Sequence, residues 1–472
     1  MAIAAAGVWE VRPTNGSDTN GGGFVAGITG TDFSQQNAKN TTGNNISTTD
    51  AVATGSSTIT SATAAFTSAI VGNIIYLSGG SGSLAAGWYQ VTVFTNATTV
   101  QLDRVVAAGT GITMNIGGAL QSLVQALTNF GTQGQKVFVK AESTLVQTAT
   151  ASSAASATNS ATSPRGIIEG YTSTRGDNGM ATIQLSTNSG LTAISLTNGT
   201  WGIYNFIIDC NNLPTSTGLS FGTGFASNVV VKNFTKIGVA IVFNAYLINC
   251  EVTGGSSEAT SAVNATVSIL ASIISCYIHD NACPGIVLLN SGLTMMHSII
   301  ANNTGASSDG YQFTSNSNYL DNIVNNIFYG NGRNGIFYNV NVNSQKLIQN
   351  NIFANNGAYG INFNTTPGTP AAVIYDGNAF YSNTSGTRSN MDDTGAVNKQ
   401  DGVAPYVNVN DITCSTTPFV NAASDDWRLN QTATGGGLIR GNGIPKTWLN
   451  LAGNRSFPDM GALEHQDPGF AS

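Results

Sequence analysis

Between Cys276 and Asn364 the chain states one pattern four times, with glycines at Gly285, Gly310, Gly335 and Gly360 spaced 25 residues apart. The residues after these glycines read Ile-Val-Leu, Tyr-Gln-Phe, Ile-Phe-Tyr and Ile-Asn-Phe. An earlier marker in each copy is a small polar residue followed by apolar ones: Cys276-Tyr-Ile, Ser298-Ile-Ile, Asn326-Ile-Phe and Asn351-Ile-Phe. A fixed period of this size marks a repeat architecture, whose units bury their apolar faces against one another. The apolar and β-branched runs are only three to five residues long, with Asn, Gly, Ser and Asp between them. Such runs are short strands between tight turns, with no helical periodicity.

Short strands at matching positions in successive coils of about 25 residues predict a parallel β-helix. Glycine at the start of a strand permits positive φ at the corner. Strand alternation then points Ile286 and Leu288, Tyr311 and Phe313, Ile336 and Tyr338, and Ile361 and Phe363 inward. The predicted core is a stack of like side chains, one rung roughly 4.8 Å above the next. The column Asn326, Asn351 and Asn378, with Asn205 and Asn233 upstream, resembles the asparagine ladder of the right-handed, pectate-lyase-like parallel β-helix superfamily. In that family stacked amides satisfy buried backbone groups at a turn. Cys250, Cys276 and Ser298 hold the middle positions of the column here and interrupt it. The resemblance covers about two thirds of the chain and implies a fold, not an activity.

Before the repeat, residues Val8 to Asn45 read as an extended arm, with Trp9 and Val11 on one side of a short strand. Thr58-Ile-Thr, Ile74-Ile-Tyr-Leu, Trp88 to Phe94 and Val100-Gln-Leu then read as strands with short connections, an antiparallel barrel or sandwich. Residues 1–115 are thus an arm and β-module. Between Gly118 and Phe130, Leu120, Leu123, Val124 and Leu127 follow helical spacing, and Gly131 can end the helix. A solenoid's first rung needs a cap, and this helix is assigned to it. Thr148 to Pro164 is an Ala/Ser/Thr-rich loop, and Asn383 to Tyr406 a polar excursion. Residues 116–415 are read as capping helix and β-helix, and residues 416–472 as a closing segment. Pro458-Asp-Met-Gly-Ala-Leu-Glu resembles the terminal Asp-Ile-Gly-Ala-x-Glu strand of many bacterial and phage β-helix proteins. Met460 replaces Ile, and Asn450-Leu-Ala-Gly-Asn-Arg455 stands where that family has Asp-x-x-Gly-x-x-Arg.

Charged residues are only 9% of the chain, against about a quarter in ordinary globular proteins. Disorder and membrane insertion both fit poorly, because 41% of residues are hydrophobic and no apolar run approaches about 18 residues. A net charge of −7 with thinly spread basic residues argues against a nucleic-acid partner. Cys210, Cys250, Cys276, Cys283 and Cys414 form an odd set without Cys-x-x-Cys spacing, which argues against zinc and against a disulfide framework. Cys250 and Cys276 fall at equivalent places in adjacent rungs, and stacked buried thiols are the plainer reading than a disulfide.

Enzymes of the resembled fold cleave polysaccharides, with clustered calcium-binding Asp residues and a basic proton acceptor, or with a carboxylate pair. Here the period stacks Asp321 on Lys346 and brings Asp309 close to Arg333, and both read as structural ion pairs. His279 with Asp280 is a candidate proton-transfer pair only where a turn brings the two together. His297 reads as a surface or capping residue. Asp392-Asp393 and Asp425-Asp426 read as solvated loop charge rather than cation ligands. Tyr311, Phe328, Phe337, Tyr338 and Tyr359 are numerous enough for a sugar-stacking face, yet their alternation assigns most to the core. No catalytic, cofactor-binding or metal-binding residue is assigned.

The start, Met1-Ala-Ile-Ala-Ala-Ala-Gly-Val-Trp-Glu, lacks a basic n-region and has too short an apolar run for a secretory signal. An added N-terminal β-module before a β-helix also looks like the plan of phage tailspikes. The resulting expectation is a non-enzymatic virion protein of a bacteriophage: a spike, fibre or capsid-surface appendage assembled in the host cytoplasm. Its N-terminal module would hold other virion proteins, and its side would face a cell-surface glycan. Such appendages are often homotrimers, although no heptads are visible. The alternatives are a polysaccharide lyase or glycosidase, and a secreted bacterial adhesin.

Overall fold

The computed structural model describes residues 7–25, 29–37, 46–130, 134–153, 166–187, 189–266, 270–305, 307–314, 320–339, 346–363, 373–389, 410–443 and 459–463. The protein is mostly strand, a parallel β-solenoid of about seven turns with a small closed antiparallel barrel module. Two compact units divide it, residues 1–209 with 221–224, and residues 210–220 with 225–472.

In the first unit the arm strand Gly7–Val11 pairs antiparallel with Gly23–Val25 and parallel with Lys136–Lys140. Lys136–Lys140 pairs in turn with Gly166–Tyr171, and that strand with the Trp201–Tyr204 stretch of Thr192–Asp209. The arm strands Gly7–Val11 and Gly23–Val25 therefore join the solenoid sheet, while Phe33 later in the arm packs into the barrel core. Alternation along the first strand buries Trp9 and Val11, which pair in register with Val137 and Val139 of the next rung. The barrel comprises Ser47–Ala53, Thr58–Thr60, Ile74–Ser78, Ser81–Gly82, Gly87–Asn96, Thr99–Leu102 and Gly109–Ile116, closed by pairing of the first and last. It has its own apolar core, including Ile59, Ile75, Leu77, Val91, Val100, Ile112 and Met114.

The helix is shorter than its apolar spacing predicts, Leu123–Asn129, and buries Leu123, Ala126 and Leu127. Leu120 instead bridges Val11 in parallel. The helix starts late because Ser122 caps it, accepting the Gln125 N–H at 3.1 Å. Asp18 accepts the N–H groups of Gln121 and Ser122, each at 2.9 Å. Gly131 lies outside the described residues.

Glu10, in the arm strand, is fully buried. Arg175 donates to its Oε2 through Nε at 2.9 Å and Nη2 at 2.7 Å, and Tyr171 donates to Oε1. Burial raises the Glu10 carboxyl above the ordinary range, outweighing the pull of Arg175. A pKa raised by folding contributes stability below the unfolded value, 4.5, and loses it as pH rises through the folded value. Unfolding curves from acid to neutral pH should show that loss in wild type and a flatter profile in Glu10→Gln. Parallel profiles would refute it. Glu10→Ala leaves Arg175 its contact with Asp32 at 3.0 Å but removes the acceptor of the buried Tyr171 hydroxyl, and should cost about 1–3 kcal/mol.

In the second unit a column of short parallel strands runs Glu251–Thr253, Tyr277–His279, Ile299–Ala301, Ile327–Tyr329, Ile352–Ala354 and Ala379–Tyr381. Its middle residues point inward, and Phe328, Phe353 and Phe380 stack at centroid separations of 5.0 and 5.3 Å. A second column, Ile286–Leu288, Tyr311–Phe313, Ile336–Tyr338 and Tyr359–Phe363, buries the residues its alternation assigns inward.

Each short strand is bounded at both ends by a left-handed residue and a ladder residue. At the entry, Asn249, Ser275, His297, Asn325 and Asn350 have φ between 51° and 56°, a region Asn tolerates better than most residues. The ladder follows: Asn326 Nδ2 donates to Asn351 Oδ1, and Asn351 Nδ2 to Asn378 Oδ1, each at 3.0 Å. Asn378 passes its backbone N–H to Asp411 at 2.7 Å, which Arg388 neutralises. Ser298 continues the line by donating its N–H to Asn326 Oδ1 at 2.9 Å. At the exit runs a second ladder, Asn281, Asn303, Asn331, Asn356 and Asn383, with amide contacts of 2.8–3.0 Å. Asn205 and Asn233 are corner residues with φ of 62° and 59° rather than ladder members.

The last rung is Ile412–Thr413, paired with Ala379–Phe380. The chain then doubles back. Phe419, Trp427, Leu429, Ile439, Met460 and Ala462 pack on Ala301, Ile327, Ile352, Ala354 and Ala379. These are the outward residues of the short strands, so the described part of the segment covers the side of the sheet. An outward column of Ile and Ala requires such cover. Asn450 to Arg455 lie outside the described residues.

Candidate functional site

Catalysis on a solenoid side needs charged groups from several rungs on one outer face, and the short-strand column supplies one such gathering. Glu251, Tyr277 and Ile299 are register partners there, as are Thr253, His279 and Ala301. Asp280 follows His279 in a left-handed corner, φ 50°, which turns its carboxylate back to the same side. His279 Nδ1 lies 2.9 Å from Asp280 Oδ2, and Nε2 lies 3.2 Å from Glu251 Oε1. The turn thus unites the pair that alternation along a strand would separate.

Tyr277 stacks on the imidazole at a centroid distance of 3.6 Å and donates its hydroxyl to Asp425 Oδ1 at 2.6 Å. Burial, aided by the Asp425 charge, pushes the Tyr277 phenol well above its ordinary range, so it serves as a hydrogen-bond donor rather than a base. Both imidazole nitrogens are occupied by carboxylates, and one ring face is covered. The cluster ties the C-terminal segment to the solenoid, since Asp425 and Trp427 come from that segment and Trp427 meets Tyr277 edge-on at 6.4 Å.

Other charges that the sequence singles out are taken up in pairs. Arg333 donates through Nε to the buried Asp309 at 2.9 Å and lies over Phe337 at 4.2 Å. Burial raises Asp309 despite the guanidinium. Asp321 and Lys346 are the register partners their spacing predicts, 3.0 Å apart, but lie inside the solenoid with both side chains fully buried. Asp426 pairs with Arg428 rather than with Asp425. His297 occupies a corner, and Asp392-Asp393 lie outside the described residues. Tyr311, Phe328, Phe337 and Tyr338 are buried and Tyr359 half-buried, which leaves the first four unable to act as sugar platforms. All five cysteines are buried and free, with burial pushing the Cys283 thiol up to about 12 and Cys414 to about 11. Among the described residues no group of three or more His, Cys, Asp and Glu could hold a metal ion, and no helix is long and apolar enough to cross a membrane.

One feature of the other column escapes a search for charge. Its outward residues, Asn264, Val287, Gln312, Phe337 and Asn362, stand in register on successive rungs. The half-buried amide of Gln312 carries a donor and an acceptor of the kind that meet hydroxyl groups, whereas Asn362 is engaged by Asn334 and by Ser389 at 2.6 Å. The signal was the middle residue of each post-glycine triplet.

Neither the scan against protein-family models nor the search of curated proteins finds a match. Among solved structures, the pectate lyase Pel9A superposes with a TM-score of 0.53 at 16% identity, covering 74% of this chain and 92% of the lyase. ORF18 of Geobacillus virus E2 gives 0.41 at 12% identity, over 62% of this chain and 57% of that one. The tailspike protein gp49 of Pseudomonas phage LKA1 gives 0.22 at 12% identity, over 80% and 65%. The fold is a pectate-lyase-like parallel β-helix. At such identity the likeness extends to fold alone.

Proposed function

We propose that the chain is a non-catalytic structural protein of a bacteriophage particle, a spike, fibre or capsid-surface appendage. The observation that carries this reading is the barrel of Ser47–Ile116. It has a separate apolar core and interrupts the chain between the first solenoid strand and the capping helix, so it is a module added to the solenoid rather than part of its rungs. An added module with its own core is suited to gripping a partner, here another virion protein. The outward amide of Gln312 suits a cell-surface glycan, and a homotrimer is one assembly open to such an appendage. Imaging of natively isolated material tests the reading. Residues 47–116 are expected on a capsid, tail or other repeating scaffold, and a free monomer would overturn it.

A second reading, cleavage of a polysaccharide, is favoured by one observation, the meeting of Glu251, His279 and Asp280 on an outer face. Product release from acidic or neutral polysaccharides that His279→Ala abolishes would support it and displace the first.

A further inference from the structure

Asp321 and Lys346 start facing strands on adjacent rungs, Asp321–Val324 and Lys346–Gln349. Both side chains are excluded from solvent, with Lys346 Nζ 3.0 Å from Asp321 Oδ2. The hydroxyls of Tyr311 and Tyr338 donate to the same oxygen at 2.9 and 3.2 Å. The other carboxyl oxygen, Oδ1, accepts the backbone N–H of Leu293 at 3.0 Å. The Phe313 ring centroid lies 4.5 Å from Nζ. The Tyr338 ring lies 5.7 Å from Nζ as well, so aromatic rings line this side of the ammonium.

The contact holds an amino and a carboxyl group together away from solvent, and these are the two partners of amide formation. The carboxyl carbon is one C–O bond, about 1.2 Å, from the oxygen that Nζ already touches. Holding the groups together replaces a bimolecular encounter. The Leu293 N–H is aimed at the oxygen on which negative charge grows as nitrogen adds. The two phenols are aimed at the oxygen that must leave. Burial and the adjacent carboxylate keep both phenols well above their ordinary range, so they remain O–H donors.

We propose that Lys346 and Asp321 condense into an isopeptide bond, a covalent staple between two rungs of the solenoid. The Nζ lone pair forms a bond to Cγ of the neutral acid, and the Cγ–Oδ2 bond breaks. Oδ2 departs as water, carrying the carboxyl proton and one amine proton, and a secondary amide remains. No oxidant, metal or co-reactant is consumed. The staple closes a loop from residue 321 to residue 346, which restricts the unfolded chain as a disulfide does.

Intact-mass measurement of the denatured full chain decides the matter. The expected mass is that of the sequence less one water, with digestion yielding one branched peptide that joins the Asp321 and Lys346 segments. Lys346→Met should restore the full sequence mass, and because the mass is read on denatured protein this holds whether or not the variant folds. A wild-type chain at full mass after prolonged storage, with the two residues in separate linear peptides, overturns the proposal. Water loss that persists in Lys346→Met overturns it as well.

Discussion

Asn351→Ala is expected to lower the unfolding free energy by on the order of 2–6 kcal/mol, the sum for two backbone groups left unpaired in a dry interior at about 1–3 kcal/mol each. Asn351 Oδ1 accepts the backbone N–H of Asn326 at 2.9 Å, and its Nδ2 donates to the Ile323 carbonyl at 2.9 Å. Alanine supplies neither group, and Asn351 is fully buried, so water cannot substitute without opening the coil. Asn326 Nδ2 keeps its bonds to Met295 O and Val324 O, both 3.0 Å, which confines the damage to the backbone pair. Asn383→Ala, at the half-buried end of the second ladder, should cost clearly less, because water reaches the groups it releases. Urea unfolding of the two variants gives the comparison. Equal losses would mean that the burial of a ladder bond is irrelevant to what it contributes to stability.

The period was legible because each coil returns the chain to the same environment, so glycine corners and inward residues recur at fixed spacing. Parity was less legible. In Asn326-Ile-Phe and Asn351-Ile-Phe both apolar residues satisfy a core reading, and only the structure tells inward Phe from outward Ile. The second ladder was present in the sequence as an Asn five residues after each first-ladder position, yet neighbouring corner asparagines such as Asn302 and Asn355 obscured it. Corner and ladder favour the same residue for different reasons, left-handed φ in one case and amide stacking in the other. This is also why Asn205 and Asn233 read as ladder members.

The candidate site was harder to read than the fold. His279 and Asp280 are adjacent, but their convergence depends on a left-handed backbone at an Asp rather than a Gly. Asp425 lies 148 residues from Tyr277, in a segment outside the 25-residue period, and nothing periodic predicts where such a segment lands. The Glu10–Arg175 contact spans 165 residues for the same reason. Long-range ionic contacts are set by coils of unequal length, whereas stacked ones such as Asp321 with Lys346 follow the period.

Trp427→Ala is expected to release the C-terminal segment while the coils beneath it persist. The indole is buried at 4% exposure and meets Tyr329 at 5.0 Å and Phe419 at 5.5 Å, edge to face. Removing a buried Trp costs about 3–5 kcal/mol. Here the loss falls on one short antiparallel pair, Phe419–Asn421 with Asp426–Leu429, because the rungs hold one another through their own ladders and stacks. The variant should therefore be cut by trypsin at Arg428 and Arg440 under conditions where wild type resists. Amides of the Phe328, Phe353 and Phe380 rungs should stay protected from hydrogen exchange. Trp427→Phe, which keeps an aromatic contact, should restore much of the resistance. Loss of protection throughout the rungs at the same denaturant concentration would show that segment and solenoid unfold as one unit. The release also bears on function, because Asp425 leaves with the segment and Tyr277 loses its acceptor. A catalytic His279 cluster would then change its activity toward polysaccharide in Trp427→Ala, whereas a structural clasp would only loosen.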